Sequence, residues 1–182
     1  MIAYKGFNKN MECTRGKGTF KYEIGKTYKE NTAQCASTGF HCCEEPIQVL
    51  NWYSGPDSRY CIVDAGGDIH EDGTGRVSCT EITVLKEITL QQLGILECHW
   101  MHEKYDRMES NLIRRDEGYA GKNEIVIVRG KNPKAKGEMG STLFLVKEKP
   151  KSREIISIGI YPVDNAEYFP NKYYDTDGKV VK

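Results

Sequence analysis

No stretch of this 182-residue sequence approaches the roughly 20 consecutive apolar residues that a bilayer-spanning helix needs, so the reading excludes a transmembrane helix. The opening Met1-Ile2-Ala3-Tyr4-Lys5 lacks the apolar core and small-residue cleavage site of a signal peptide, and the expected location is the cytoplasm. Charge of one sign is equally scarce. Lys plus Arg number 26 and Asp plus Glu number 26, a balance that removes the electrostatic case for a polybasic nucleic-acid grip, although a local basic surface can still hold phosphates. No Cys-x-x-Cys pair occurs among the seven cysteines. Their odd number and irregular spacing do not fit a secreted disulfide framework, so they are expected to be thiols. Gly66-Gly67-Asp68 and Asp72-Gly73-Thr74-Gly75 lack the lysine and helix that follow a phosphate-binding loop and read as turns. Asp68, Glu71 and Asp72 lack the ligand spacing of a calcium loop.

What is present has the patterning of a folded chain. Ile2 to Phe7 and Phe20 to Ile24 alternate as strands, Gly39 to Cys43 adds a third, and Glu44-Glu45-Pro46 reads as the start of a short helix reaching Trp52. Arg59 to Ala65 and Thr80 to Leu85 are rich in strand formers. A brief helix is expected at Thr89 to Leu93. A longer one from Glu97 to Ile113 aligns Trp100, Met101, Tyr105, Met108 and Leu112 on one face, which reads either as a core face or as a protein-binding surface. Beyond Arg114-Arg115 the composition changes. Glycines at 118, 121, 130, 137 and 140 punctuate the strand-like runs Ile125 to Val128 and Leu143 to Val146, Glu154 to Val163 forms another strand, and Asp177-Gly178 marks a closing hairpin. The expected class is therefore α+β, with a mixed-sheet domain over residues 1–116 that includes a C-terminal helix and a small β-rich unit over 117–182.

Candidate chemistry is thin when taken residue by residue. Cys98 and His102 lie four apart on one helical face and His41-Cys42-Cys43 offers further soft ligands, but neighbouring strand residues point to opposite faces, and no metal site is assigned. No signature of a base accompanies Cys42 or Cys43 as a nucleophile. His41 also reads as a core histidine satisfied by the backbone, and Glu81 as a solvated carboxylate.

At Tyr4-Lys5-Gly6-Phe7, Tyr22 to Tyr28, Gly39-Phe40-His41-Cys42 and Val77-Ser78-Cys79-Thr80 the sequence resembles an uncharacterised family of phage and prophage proteins. Val128 to Ser141 is similar to a vestige of that family's glycine-spaced repeats, and Tyr161 to Asn165 followed by Pro170 to Tyr174 resembles its C-terminus. More distantly, the order of elements resembles small ADP-ribosyltransferases. That resemblance implies a mixed-sheet fold in which Lys5 and Gly6 on the first strand hold the ribose of NAD, His41 stacks on nicotinamide, and Glu81 at the head of a strand stabilises the ribosyl cation. Lysine stands where those enzymes carry histidine, and histidine where they carry tyrosine.

The phage resemblance implies an accessory protein that binds and inhibits a host protein or ribonucleoprotein complex. A defence system such as a CRISPR effector is the natural target class, and that reading needs no cofactor. An ADP-ribosyltransferase using NAD on a host target, through Glu81, His41, Lys5 and Gly6, is the alternative, and a virion-associated structural protein is a third. Arg114, Arg115 and the lysines at 131, 134, 136, 147, 149 and 151 supply the local basic surface that contact with nucleic acid would use.

Overall fold

The computed structural model of the chain describes residues 1–16, 18–105 and 110–182. Its class is α+β with sheet dominating, and it divides into two compact units, Met1–Thr89 and Leu90–Lys182. The division falls upstream of the 116/117 position expected from composition. Among the described residues no helix is long and apolar enough to cross a membrane.

The N-terminal unit contains β1 (Ile2–Phe7), β2 (Glu12–Cys13), β3 (Phe20–Lys21), β4 (Thr27–Lys29), β5 (Phe40–Cys43), a 3-10 turn (Pro46–Asn51), β6 (Arg59–Glu71) and β7 (Arg76–Ile88). Pro46 opens the 3-10 turn, where its fixed φ and missing N–H cost nothing. β6 and β7 form a long antiparallel hairpin whose Asp72–Gly75 turn is held by Asp72 Oδ1, which accepts the Thr74 N–H at 2.9 Å. Strand β1 pairs with β6, β5 with β7, and Tyr4 of β1 with Cys43 of β5, so β1, β6, β7 and β5 close into an antiparallel circuit. Strand β4 adds to β7, and β2 and β3 form a separate two-stranded ribbon. Ala3, Phe7, Cys42, Cys61, Val63, Val77, Cys79, Ile82 and Val84 fill the interior.

Three expectations change here. The described strands of this unit all pair antiparallel, where a mixed sheet was expected. Gly66-Gly67-Asp68 is not a loop between strands but a bulge inside β6, where the register against β7 shifts between Gly66 and Ile69 and the Asp68 N–H donates to Thr80 Oγ1 at 2.8 Å. The strand expected over Phe20 to Ile24 is limited to Phe20–Lys21, while the Tyr22 N–H turns to the Met11 carbonyl at 2.8 Å.

The C-terminal unit contains α1 (Leu90–Glu103), β8 (Arg114–Ala120), β9 (Ile125–Gly137), β10 (Thr142–Glu148), β11 (Ile155–Pro162), β12 (Tyr173–Tyr174) and β13 (Val180–Val181). One helix thus replaces the two expected over Thr89–Leu93 and Glu97–Ile113. Arg114 already belongs to β8, Leu112 and Ile113 are not helical, and Met108 lies outside the described residues. The helix packs on β9 and β10, where the Phe144 ring lies so close to Gly94 that a Cβ there would stand 2.5 Å from it. The sheet runs β11-β10-β9-β12-β13, with β8 on β9. Strands β9 and β10 are parallel, with Ile125 opposite Thr142 and Gly130 opposite Lys147. Parallel neighbours need a crossover. Residues 131–141 provide it, and they include the end of β9, which pairs with β8 instead. The hairpin at Asp177-Gly178 is present as β12–β13.

Candidate functional site

A cleft of about 530 Å³ opens on the N-terminal unit, within the range of small-ligand sites. Strands β1 and β5 supply Lys5, Gly6 and His41 to it, the ribbon and its turn supply Cys13, Arg15 and Phe20, and the segment after the 3-10 turn supplies Trp52 and Tyr53.

Lys5 shares the inward face of β1 with Ala3 and Phe7, as the two-residue period of a strand requires. It is only 4% exposed. Its ammonium donates to the His41 carbonyl at 2.5 Å and stands 5.1 Å from the centre of the Tyr22 ring and 5.7 Å from that of Phe7. Those π-faces offset part of the cost of removing the charge from water.

His41 meets Lys5 through its backbone, not its ring. The imidazole Nε2 accepts the Ala36 N–H at 2.9 Å, which makes the ring neutral with its proton on Nδ1. Burial, followed by the charges of Lys5 and Arg76, holds its pKa below the ordinary histidine value. The backbone of the 34–39 turn therefore satisfies one ring nitrogen, through an amide N–H.

Gly6 has a packing reason. A Cβ there would stand 2.9 Å from Tyr53 Cβ and Cδ2, so the Tyr53 side chain lies flat against the bare backbone. The Tyr53 hydroxyl accepts the Thr14 N–H at 2.9 Å and ties the ribbon to the segment behind the 3-10 turn.

Glu81 is not among the described residues that line the cleft. It lies opposite Lys29 in the β4–β7 pairing, and its carboxylate takes the Lys29 ammonium at 2.7 Å. The fold thus gathers Lys5, Gly6 and His41 and leaves Glu81 on a half-exposed ladder position.

Sequence reasoning did not single out Cys13, Arg15, Phe20, Trp52 or Tyr53 as site residues. Burial raises the Cys13 thiol, but the Lys5 charge, the Tyr53 hydroxyl and the backbone at Arg15 outweigh it, so the thiol lies below its ordinary value. Arg15 Nε donates to the Trp52 carbonyl at 3.1 Å, and its guanidinium stands 5.8 Å from the Tyr53 ring centre. The Arg76 guanidinium stands 5.6 Å from the Trp52 ring centre and pairs with Asp72 at 2.5 Å. The one available signal was Asn51-Trp52-Tyr53, two aromatics closing a short helix after a glycine-bearing first strand. All seven cysteines are free. Among the described residues no group of three or more His, Cys, Asp or Glu is arranged to hold a metal ion.

Residues 1–96 match a family described as a domain of unknown function, DUF7666. The chain belongs to that family. The DUF7666 match contains the entire N-terminal unit, with every residue of the cleft, and runs on into the first turns of α1. No curated protein and no solved structure matches the chain.

Proposed function

We propose that the DUF7666 unit is a small-molecule binding module, built on an ADP-ribosyltransferase-like scaffold that binds without transferring. The observation that carries this reading is the separation of the parts. Lys5, Gly6 and His41 share one cleft, while Glu81, the carboxylate a transferase needs, is paired with Lys29 outside its described lining. The carboxylate in the described lining is that of Glu30, not the strand-head glutamate that the resemblance assigns to the ribosyl cation. The test is incubation of the purified chain with isotopically labelled NAD and a bacterial lysate, followed by mass spectrometry. The expected result is no ADP-ribose adduct and no released nicotinamide. An adduct that disappears with Glu81→Gln would replace this reading by the transferase.

A second reading rests on a different surface. Strand β11 ends the C-terminal sheet and exposes Ile156, Ile158 and Ile160, the same face of the strand at every second position. An apolar stripe on a sheet edge suits a protein partner. With the resemblance to phage and prophage proteins, it supports an accessory protein that inhibits a host protein or ribonucleoprotein complex, CRISPR effectors included. A stoichiometric complex with a purified effector that is lost in Ile158→Asp supports it, and retention of that complex in the variant removes it.

A further inference from the structure

The cleft carries more positive than negative charge. Lys5, Arg15 and Arg76 line it, against the single carboxylate of Glu30. Arg76 is compensated by Asp72. Lys5 and Arg15 have no carboxylate within ion-pair distance among the described residues, and their polar contacts are backbone carbonyls, those of His41 and Trp52. A carbonyl and an aromatic face replace only part of the hydration an ammonium loses when it is buried to 4% exposure. The Lys5 charge acts on its neighbours too: with the Tyr53 hydroxyl and the backbone at Arg15 it draws the Cys13 thiol down against the effect of burial.

The walls add a second preference. Phe20 and Trp52 both line the cleft and are exposed, at 42% and 39%, with the Arg76 guanidinium over one face of Trp52, while Tyr22 and Phe40 are buried. Phe20 is fixed by edge contacts with Tyr22, Tyr28 and Phe40 at centroid distances of 4.8, 5.4 and 5.8 Å, which presents its ring as a rigid platform. Exposed aromatic rings beside unneutralised cations suit a ligand that is planar at one end and anionic at the other.

We propose that the cleft binds a nucleoside phosphate, with the phosphate against Lys5 and Arg15 and the base on the exposed rings of Phe20 and Trp52. This rests on the reading of the cleft as a ligand site and specifies its ligand. It also separates the site from one made for the cationic nicotinamide ring, which Lys5 would repel.

The experiment is calorimetric and NMR titration of the full chain with ADP, adenosine and pyrophosphate, repeated on Lys5→Met, Arg15→Gln and Trp52→Ala. The melting temperature of each variant is the control for folding. Expected are binding of ADP, at least tenfold weaker binding of adenosine, and at least a tenfold loss of ADP affinity in Arg15→Gln, which sits on the exposed rim and leaves the interior intact. Lys5→Met is expected to lose as much, with adenosine unaffected. Trp52→Ala is expected to weaken ADP and leave pyrophosphate unchanged. Equal affinity for ADP and adenosine, or ADP affinity unchanged in both Lys5→Met and Arg15→Gln, overturns the anionic class. If adenosine still moves the Trp52 and His41 signals in that case, the ligand-site reading survives. Silence of the cleft signals with all three probes overturns both.

Discussion

Arg129 and Glu148 form an ion pair with both side chains inside the C-terminal unit: Nε meets Oε1 at 2.7 Å, with side-chain exposures of 1% and 7%. Both side chains make further contacts. Arg129 donates to the Tyr105 and Arg153 carbonyls at 3.0 and 2.7 Å, and Glu148 takes a bidentate contact from Arg115 at 3.0 and 2.7 Å. Removing one partner of such a pair leaves the other buried without compensation, at a cost of about 3–5 kcal/mol. Glu148→Leu is expected to approach that loss in denaturant unfolding because it removes the carboxylate that Arg115 and Arg129 share. Arg129→Met should lose less, since Arg115 still neutralises Glu148.

The same carboxylate sets an acid limit. Burial raises the Glu148 pKa, but hydrogen bonding and charge from Arg115, with the charge of Arg129, bring it below its ordinary 4.5. A carboxylate depressed in the folded state contributes stability that is complete above 4.5 and lost as pH falls through the folded value. His41 is also depressed, by burial first, so its contribution is complete above 6.5 and declines below it. Amide exchange followed against pH should therefore show the N-terminal unit loosening before the C-terminal one. Simultaneous loosening of both only below 4.5 would contradict the role given to His41.

Cysteine reactivity separates the seven thiols. Cys13 is partly exposed and lowered, Cys35 is partly exposed but raised by burial and by Asp72, and Cys42, Cys43, Cys61, Cys79 and Cys98 are buried. Brief iodoacetamide treatment at neutral pH is expected to mark Cys13 first, by peptide mass spectrometry, and Lys5→Met should slow that labelling because the ammonium favours the thiolate. Equal labelling of Cys13 and Cys35 would contradict this order.

Gly6 sets the position of Tyr53. Gly6→Ala is expected to push the Tyr53 ring off β1 at a cost of about 1–3 kcal/mol and to free the Thr14 amide, read as lower thermal stability and faster exchange at Thr14. A variant with native stability and a protected Thr14 amide would show that the contact yields without consequence.

The parts of the fold legible in the sequence are those decided within a few residues. The alternation of Ile2 to Phe7, the proline-led turn at Pro46 and the hairpin at Asp177-Gly178 each carry their own local signal. The parts decided by distant partners were not legible. Gly94 lies between the two helices expected over Thr89–Leu93 and Glu97–Ile113, and glycine is a poor helix former, yet the Phe144 ring packs on that bare backbone and one helix runs through it. The bulge at Gly66-Gly67-Asp68 exists only against β7. In the site, Lys5 and His41 were named from a resemblance, but the contact between them uses a carbonyl that no side-chain pattern announces. Arg15, Trp52 and Tyr53 come together because the ribbon segment reaches the Trp52–Tyr53 segment, whose Tyr53 packs on Gly6.

The circuit of the N-terminal unit is closed between β1 and β5 by one residue pair, Tyr4 with Cys43, and both residues lie on the cleft. That one-pair ladder, with the Lys5 ammonium on the His41 carbonyl beside it, is the clasp of a hoop whose other seams are longer ladders. A ligand touching both Tyr4 and Cys43 would span that clasp and hold its two sides together. Occupancy would then register as stiffness, a tightening of the hoop that a partner could sense without touching the occupant.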